Sequence, residues 1–268
     1  MPLPVLQISP RSAEDLVRLF HRTELHWARH LGEETPLAVG TAFTNPQLPN
    51  IHNANRVLDA ALPEGMSPED ALREVEDHYR GHGTPCRQWI MNPAAPMAAT
   101  APLADHLRAF GFQPQPSDIL HLAGRPASIE ETPGLTIIPA RASFRHARAL
   151  AEEAAMQWNE PQIAEARLMH LDDPHWDALL ALRDGQPVGA IGVLSAGDIG
   201  RIEHVFVSES ARRHGIGRTL MSRALEICAR SLFKHVMLNV DPQNTPAVAL
   251  YTRIGFRRVG QIVEYHAP

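Results

Sequence analysis

Small and basic residues gather at one junction of the chain, Arg212-Arg213-His214-Gly215-Ile216-Gly217. A β-rich segment ending at Val207 precedes them, and an amphipathic, helix-like segment follows. The first amides of a helix have no intrahelical partner and carry the positive end of the helix dipole. Glycines at 215 and 217 leave that backbone open to a ligand, and Arg218 adds positive charge. The pattern predicts an anion site, most simply for a phosphate. A plain tight turn before a helix is the alternative, because Gly-x-Gly alone is a weak signal.

The junction resembles one motif of a known family once a second segment is taken with it. Leu220 stands where a dinucleotide fingerprint needs its third glycine, so that motif is excluded. Arg212, Gly215 and Gly217 instead fit the Arg/Gln-x-x-Gly-x-Gly/Ala motif of the GNAT superfamily of acyl-CoA-dependent N-acetyltransferases. Residues 240–256 resemble the same family's Asn…Ala…Leu-Tyr…Gly-Phe signature. The resemblance covers roughly residues 134–268.

The resemblance implies that acetyl-CoA is the co-substrate, and no metal is expected. Backbone amides of Val205, Phe206 and Val207 are expected to bond the pantetheine arm. Asn244 is expected to contact the same arm, and it is also a natural N-cap for the helix that follows. The pyrophosphate is expected on the turn itself, which comprises Arg212, Arg213, His214, Gly215, Ile216, Gly217, Arg218 and Thr219.

The resemblance also implies a general acid, a general base and an acceptor loop. Tyr251 matches the family's proton donor to the leaving sulfur, with a core aromatic as the alternative. Glu203 is the candidate base acting through water, because strand parity places it on the side of Val205 and Val207. A salt-bridged or solvated carboxylate is the alternative. The acceptor, a small-molecule or peptide amine, is expected to meet Trp158, Asn159 and Glu160, although Trp158 is equally compatible with a core position.

An internal repeat extends the resemblance to the first half. Residues 103–112 align with residues 247–256 at a constant offset of 144. Leu107 occupies the slot of Tyr251, and the helix expected to begin at Pro68 has no Gly-x-Gly turn before it. We therefore expect an α/β protein with two GNAT-type domains in tandem, each a mixed central sheet flanked by helices. Residues 1–125 would form a degenerate copy that walls the acceptor cleft, and residues 134–268 the catalytic domain.

Local patterns predict the elements of both halves. Capping and periodicity predict helices over 12–31, from 68 to about 80, and over 102–110. The second half reads β-α-α-β-β-β-α-β-α-β-β, closing with two strands over 256–259 and 261–265. A segment rich in proline and glycine, residues 124–133, is expected to link the halves.

Composition narrows the class of protein. The 268 residues are 44% hydrophobic with a net charge of −5, and no basic face for nucleic acid or a membrane emerges. Neither an apolar run of about 18 residues nor a signal-peptide pattern is present, which favours a cytoplasmic protein. The two cysteines lack metal-site spacing. His26 and His30, four apart, read as surface residues because no third ligand is evident.

Three matters stay open at the level of sequence. The chain is a monomer or a homodimer. A non-catalytic acyl-CoA-binding regulatory protein is the competing function, although such a protein has little need of the Tyr251 hydroxyl. Transfer of a longer acyl group is the alternative within enzymes, and the identity of the amine is undetermined, with the mildly acidic first half slightly favouring a cation.

Overall fold

The computed structural model describes residues 11–268. Its first half contains α1 (Ala13–Leu31), β1 (Glu33–Leu37), β2 (Gly40–Thr44), β3 (Arg56–Ala60), α2 (Pro68–Gly81), β4 (Gln88–Met91), α3 (Met97–Ala109) and β5 (Gln113–Leu122). The second half contains β6 (Leu135–Pro139), α4 (Phe144–Trp158), α5 (Ile163–Met169), β7 (Trp176–Arg183), β8 (Gln186–Ala196), β9 (Ile199–Val207), α6 (Ile216–Arg230), β10 (His235–Val240), α7 (Thr245–Ile254) and β11 (Phe256–His266). The predicted α/β class is confirmed, and α3 begins earlier than the predicted residue 102.

The eleven strands within residues 11–268 lie in one mixed sheet, flanked by helices. Its order is β1-β2-β3-β4-β11-β5-β10-β9-β8-β7-β6. The last strand of each half therefore lies inside the other half: β5 pairs with β10, and β11 pairs with β4. The two exchanged strands also pair with each other along their whole length. The domain limits 1–125 and 134–268 stay a prediction, and the two halves share this sheet.

The predicted pair of closing strands is wrong. Residues 256–266 form the single strand β11, with a bulge between Arg258 and Gly260, and β5 occupies the place beside it. Gly260 does not mark a turn. A Cβ atom there would lie 2.3 Å from Cγ2 of Val17, so the glycine allows α1 to approach the sheet.

Helix α1 carries residues of the first half to the centre of the sheet. Ser12 caps it, through a capping box with Asp15. Its apolar face, including Leu16 and Phe20, packs in a core cluster with residues of β5, β10 and β11. Farther along, Glu24 and Trp27 are buried against the second half.

Strand β9 differs from a regular strand in two ways. It pairs with the parallel strand β10 only from Ile199 to Arg201, so beyond Arg201 the two strands have no ladder between them. On its other side the register jumps: Gly192 faces Glu203, whereas Ala190 faces Phe206. His204 adopts a left-handed φ of 54° at this bulge. The central strand β9 thus separates from its parallel neighbour β10 beyond Arg201.

The segment between the halves has no regular structure from residue 123 to 134. It is nevertheless fixed at both ends, because the amide of Ala127 donates to the carbonyl of Ile254 at 2.8 Å and the amide of Thr132 donates to Oγ1 of Thr219 at 2.9 Å. Across residues 11–268, every helix is too short or too polar to cross a bilayer.

Candidate active site

The turn before α6 leaves its backbone amides uncapped. Gly215 is the N-cap, with a left-handed φ of 78°, and among residues 11–268 no side chain caps the first amides of the helix. A Cβ at Gly217 would find only ordinary contacts, 3.7 Å from side chains of Leu250 and Val207. The corresponding helix of the first half differs, because Ser67 Oγ accepts the Asp70 amide at 3.1 Å. Only the second of these two helix starts is therefore open to an anion.

The predicted phosphate residues divide into two groups. Arg213, His214 and Arg218 lie exposed around the turn. Arg212 instead braces the turn, since Nε donates to the Val207 carbonyl at 3.1 Å and Nη2 donates to Oε1 of Gln157 at 2.7 Å. Thr219 is only 2% exposed, and Ile216 lies in the core, so their side chains face inward.

The edge of β9 that faces β10 supplies the remaining predicted contacts. Val205, Phe206 and Val207 lie in the separated part of the strand, with the Phe206 side chain buried. Asn244 caps α7, because its Oδ1 accepts the Ala247 amide at 3.3 Å. The N-cap role of Asn244 is therefore seen in the structure, and its contact with CoA stays a prediction.

Tyr251 lies on α7 beside this groove. It is 6% exposed and belongs to the core cluster that Val205, Val207 and Leu250 pack against. Burial raises the pKa of the Tyr251 phenol, and the charge of Glu203 raises it further. The phenol is therefore protonated at neutral pH, which is the state that a proton donor needs.

Glu203 belongs to a buried chain of four charged groups that joins the two halves. Arg201 lies between two carboxylates, with its Nε 2.5 Å from Glu203 Oε1 and its Nη1 2.6 Å from Glu24 Oε1. Glu24 in turn binds Arg56 of β3, with 2.8 Å between Oε2 and Nη1. Two positive and two negative charges thus balance one another away from solvent.

The two carboxyl groups of this chain differ in basicity. Burial opposes ionisation of Glu24, but Arg201 and Arg56 outweigh it and lower the pKa of Glu24 to about 2. Burial raises the pKa of Glu203, and although Arg201 acts in the opposite direction, Glu24 adds to the rise. Glu203 is therefore the stronger base of the pair. The parity argument that selected it is wrong, because the bulge at His204 turns Glu203 to the side of Phe206.

Glu203 and His204 line a cleft of about 240 Å³ between the two halves. The second half also contributes Trp158, and the first half contributes Trp27 and Asn53. Of the predicted acceptor residues, only Trp158 lines this cleft. Asn159 ends α4 in a left-handed conformation, and Glu160 is half-buried, with its pKa raised by burial.

Comparison with known proteins identifies a domain in the second half of the chain. Residues 144–256 match the acetyltransferase (GNAT) family. The chain carries a GNAT acetyltransferase domain. The matched GNAT segment begins with α4 and ends at the start of β11, so it includes the glycine turn, β9 and Tyr251.

Relatives of the GNAT domain extend the likeness beyond it. The chain is 28% identical over 213 residues to a mycothiol acetyltransferase of Thermomonospora curvata, covering 74% of this chain and 67% of that one. Two other curated relatives are matched over only 22% and 64% of their own lengths, so the chain spans less than two thirds of each. A GCN5-related N-acetyltransferase of Kribbella flavida has the same fold over 94% of this chain and 95% of its own, with a TM-score of 0.67 and 16% identity. A tandem GNAT protein from the clavulanic acid biosynthesis pathway aligns over 96% and 97%, with a TM-score of 0.58 and 17% identity.

Sequence reasoning about the GNAT domain missed two residues of the cleft, Arg167 and His170. Both lie at α5, where no family motif drew attention to them. The only signal was a spacing of three residues, which places two side chains on one face of a helix. That spacing is too common to single out a site without the structure.

Proposed function

We propose that the protein is an N-acetyltransferase that moves the acetyl group of acetyl-CoA directly to a primary amine in a ternary complex. One observation carries the proposal: the uncapped glycine turn of α6 adjoins both the open edge of β9 and α7, the helix of Tyr251. Gly217 marks this meeting point, because its Cβ position is 3.7 Å from Val207 and 3.7 Å from Leu250.

The groove suits acetyl-CoA in chemical character. The amides at Gly215 and Gly217 would hold the diphosphate, with Arg213, His214 and Arg218 around it. Backbone groups of residues 205–207, which have no ladder partner in β10, would hold the pantetheine arm. Acetyl-CoA supplies a thioester whose acyl carbon an amine can attack.

The proposed chemistry assigns one proton transfer to each of two residues. Glu203 accepts the proton that the amine loses as the new C–N bond forms, through water or directly. Tyr251 donates its proton to the sulfur as the C–S bond breaks. Each such transfer is worth about 10²- to 10⁴-fold in rate.

We propose that the first half closes the acceptor cleft and does not catalyse a reaction of its own. Its helix start at Ser67 is capped, and Leu107, aligned with Tyr251, is fully buried in the core. Cytoplasmic location and a monomeric or homodimeric state stay predictions, as does the preference for acetyl over longer acyl groups.

Release of CoA from acetyl-CoA, followed with a thiol reagent across a panel of amines, tests the function. Because one relative is named a mycothiol acetyltransferase, the panel includes amines related to mycothiol. We expect turnover with at least one amine and a loss of about 100-fold or more in kcat for Tyr251→Phe. Tyr265→Phe is the matched control, since it removes a phenol hydroxyl that bonds Arg108.

Two results would count against the proposal. If Tyr251→Phe keeps the full rate across pH, the assignment of the acid is wrong. If acetyl-CoA binds but no amine releases CoA, the non-catalytic binding protein is the better description. Parallel assays with longer acyl-CoA thioesters decide the acyl group.

A further inference from the structure

We propose that the amine acceptor carries a carboxylate, and that Arg167 and His170 of the α5 segment hold it in the cleft. This inference rests on the proposed function and names the substrate class for the same site. Both residues line the cleft that Glu203 also lines.

Arg167 carries a positive charge for which the fold supplies no direct partner. Within residues 11–268 its guanidinium makes neither an ion pair nor a hydrogen bond. It lies over the ring of Trp158, 4.7 Å from the ring centroid, and 6.0 Å from that of Phe206. Its burial lowers the pKa of Arg167 to about 10, while the charge of Glu203 acts in the opposite direction. The group stays charged near neutral pH, so its five donors are available to a ligand.

His170 is the second polar group without a partner. It is 1% exposed and stacks on Trp27 with 3.5 Å between ring centroids. Neither ring nitrogen has a hydrogen-bond partner among the described residues. Burial lowers the pKa of His170 well below its ordinary value, so the ring is neutral and offers one N–H donor. A buried donor without a partner is costly, and a bound ligand would satisfy it.

Together the two side chains favour a carboxylate over the other amine classes. A guanidinium presents a planar pair of donors that matches a carboxylate, and the imidazole adds a third. A polyamine would instead bring a second positive charge towards Arg167. The sequence-based preference for a cationic acceptor is therefore replaced by a preference for an amino-acid-like one. The cleft volume of about 240 Å³ suits a small molecule of this kind.

Paired amines that differ only in the carboxylate test this inference. The pairs are L-alanine with ethylamine, L-phenylalanine with phenethylamine, and β-alanine with ethylamine. We expect kcat/KM to be at least 10-fold higher for the carboxylated member of the best pair. Arg167→Gln should remove that preference. Arg167→Lys should keep part of it, because lysine keeps the positive charge but lacks the planar pair of donors.

Controls separate recognition from folding and from chemistry. Arg148→Gln, an exposed arginine on α4, should keep the preference. Circular dichroism and thermal unfolding of Arg167→Gln should match those of the wild type, which shows that the variant is folded. Equal or better turnover of carboxylate-free amines by the wild type would overturn the inference and leave the acetyltransferase proposal intact. Absence of turnover with every amine would defeat the acetyltransferase proposal itself.

A separate observation points to a metal site, and we infer that His26, Asp173 and His175 bind a divalent transition-metal ion such as Zn²⁺. Their ligand atoms all lie within 4.8 Å of one another. His26 comes from α1, and the other two come from the segment before β7. The sequence alone did not indicate that Asp173 and His175 of the other half lie beside His26.

The buried carboxylate of Asp173 distinguishes this cluster from a chance grouping of exposed side chains. Its side chain is 4% exposed, and Oδ1 accepts the His175 amide at 2.9 Å and lies 3.3 Å from Nδ1 of His175. The other oxygen, Oδ2, is buried without a partner among the described residues. Two imidazoles and one carboxylate form a donor set typical of Zn²⁺ with open positions. A bound ion would tie α1 to the second half beside Trp27 and His170, which line the cleft.

Cobalt and zinc titrations of the full chain test the metal site. We expect visible Co²⁺ absorption that Zn²⁺ displaces, together with a rise in melting temperature on adding Zn²⁺. His26→Gln should abolish both signals, whereas His82→Gln, on the exposed end of α2, should keep them. Equal metal binding by wild type and His26→Gln, or no binding by the wild type at micromolar metal, would overturn the inference.

Discussion

Gly217→Ala should stabilise the fold and at the same time weaken the binding of acetyl-CoA. The added methyl group has room within the protein, 3.7 Å from Leu250 and from Val207, and the residue lies in the first turn of α6 with an ordinary φ. Replacing glycine by alanine at such a position typically stabilises by about 0.4–1 kcal/mol. For a chain of this size that corresponds to a rise of about 1–2 °C in melting temperature.

The same methyl group would stand where the diphosphate is expected to meet the helix amides. Losing one charge-assisted hydrogen bond costs about 1.5–3 kcal/mol, which corresponds to roughly a 10- to 150-fold weaker binding of acetyl-CoA. Calorimetry of acetyl-CoA binding and thermal unfolding measure the two effects on one sample.

Opposite signs make this prediction hard to satisfy by accident. Gly81→Ala is the control, because Gly81 ends α2 and no atom of the described residues lies within 4 Å of its Cβ position. It should change the melting temperature without changing acetyl-CoA binding. If Gly217→Ala binds acetyl-CoA as tightly as the wild type, the turn does not hold the diphosphate.

Three further predictions concern groups around the site. Burial raises the pKa of Glu203, so its basic form is lost as the pH falls through a pKa above that of an exposed glutamate, and kcat/KM should fall on the acid side. Glu203→Gln should remove this acid limb of the pH profile. An unchanged acid limb would exclude Glu203 as the base. Glu24→Gln leaves the buried guanidinium groups of Arg56 and Arg201 without their carboxylate and should cost about 3–5 kcal/mol in denaturant unfolding, whereas a loss below 1 kcal/mol would show that the chain of charges is not structural. Gly215→Ala forces an alanine into a left-handed conformation and places its Cβ 2.3 Å from Thr132 Oγ1, so the fold should lose more than the roughly 1–2 kcal/mol that the conformation alone costs. Adding Thr132→Ala should recover the part of this loss that the steric clash causes. If it recovers no stability, Thr132 does not press on the turn.

Elements with strong local signals were predictable from the sequence. The capping box at Ser12 fixed the start of α1, and the order of residues around Gly215 fixed the junction between β9 and α6. In each case the determining interactions lie within one turn of the chain. The same holds for α7, where Asn244 caps the helix next to the tyrosine.

Features set by distant contacts were not predictable. Val259-Gly260 resembles a turn, and only the approach of Val17 explains why glycine stands in the middle of β11. Nothing local signals that His204 adopts a left-handed conformation, so the alternation rule failed at the residue where the catalytic assignment depended on it. Strand exchange is likewise invisible, because hydrophobic alternation does not specify which edge a strand joins.

These long-range features bear directly on the proposed chemistry. Glu203 owes its raised pKa to burial and partly to Glu24, which α1 of the first half supplies, while Arg56 of β3 holds Glu24 ionised. The candidate base is therefore set by residues that lie outside the segment carrying the family motifs. Because β5 also separates β10 from β11, removing the first half would take away a central strand as well as the partner of Arg201. The first half thus serves the second through the sheet and through charge, although its own helix start is closed to an anion.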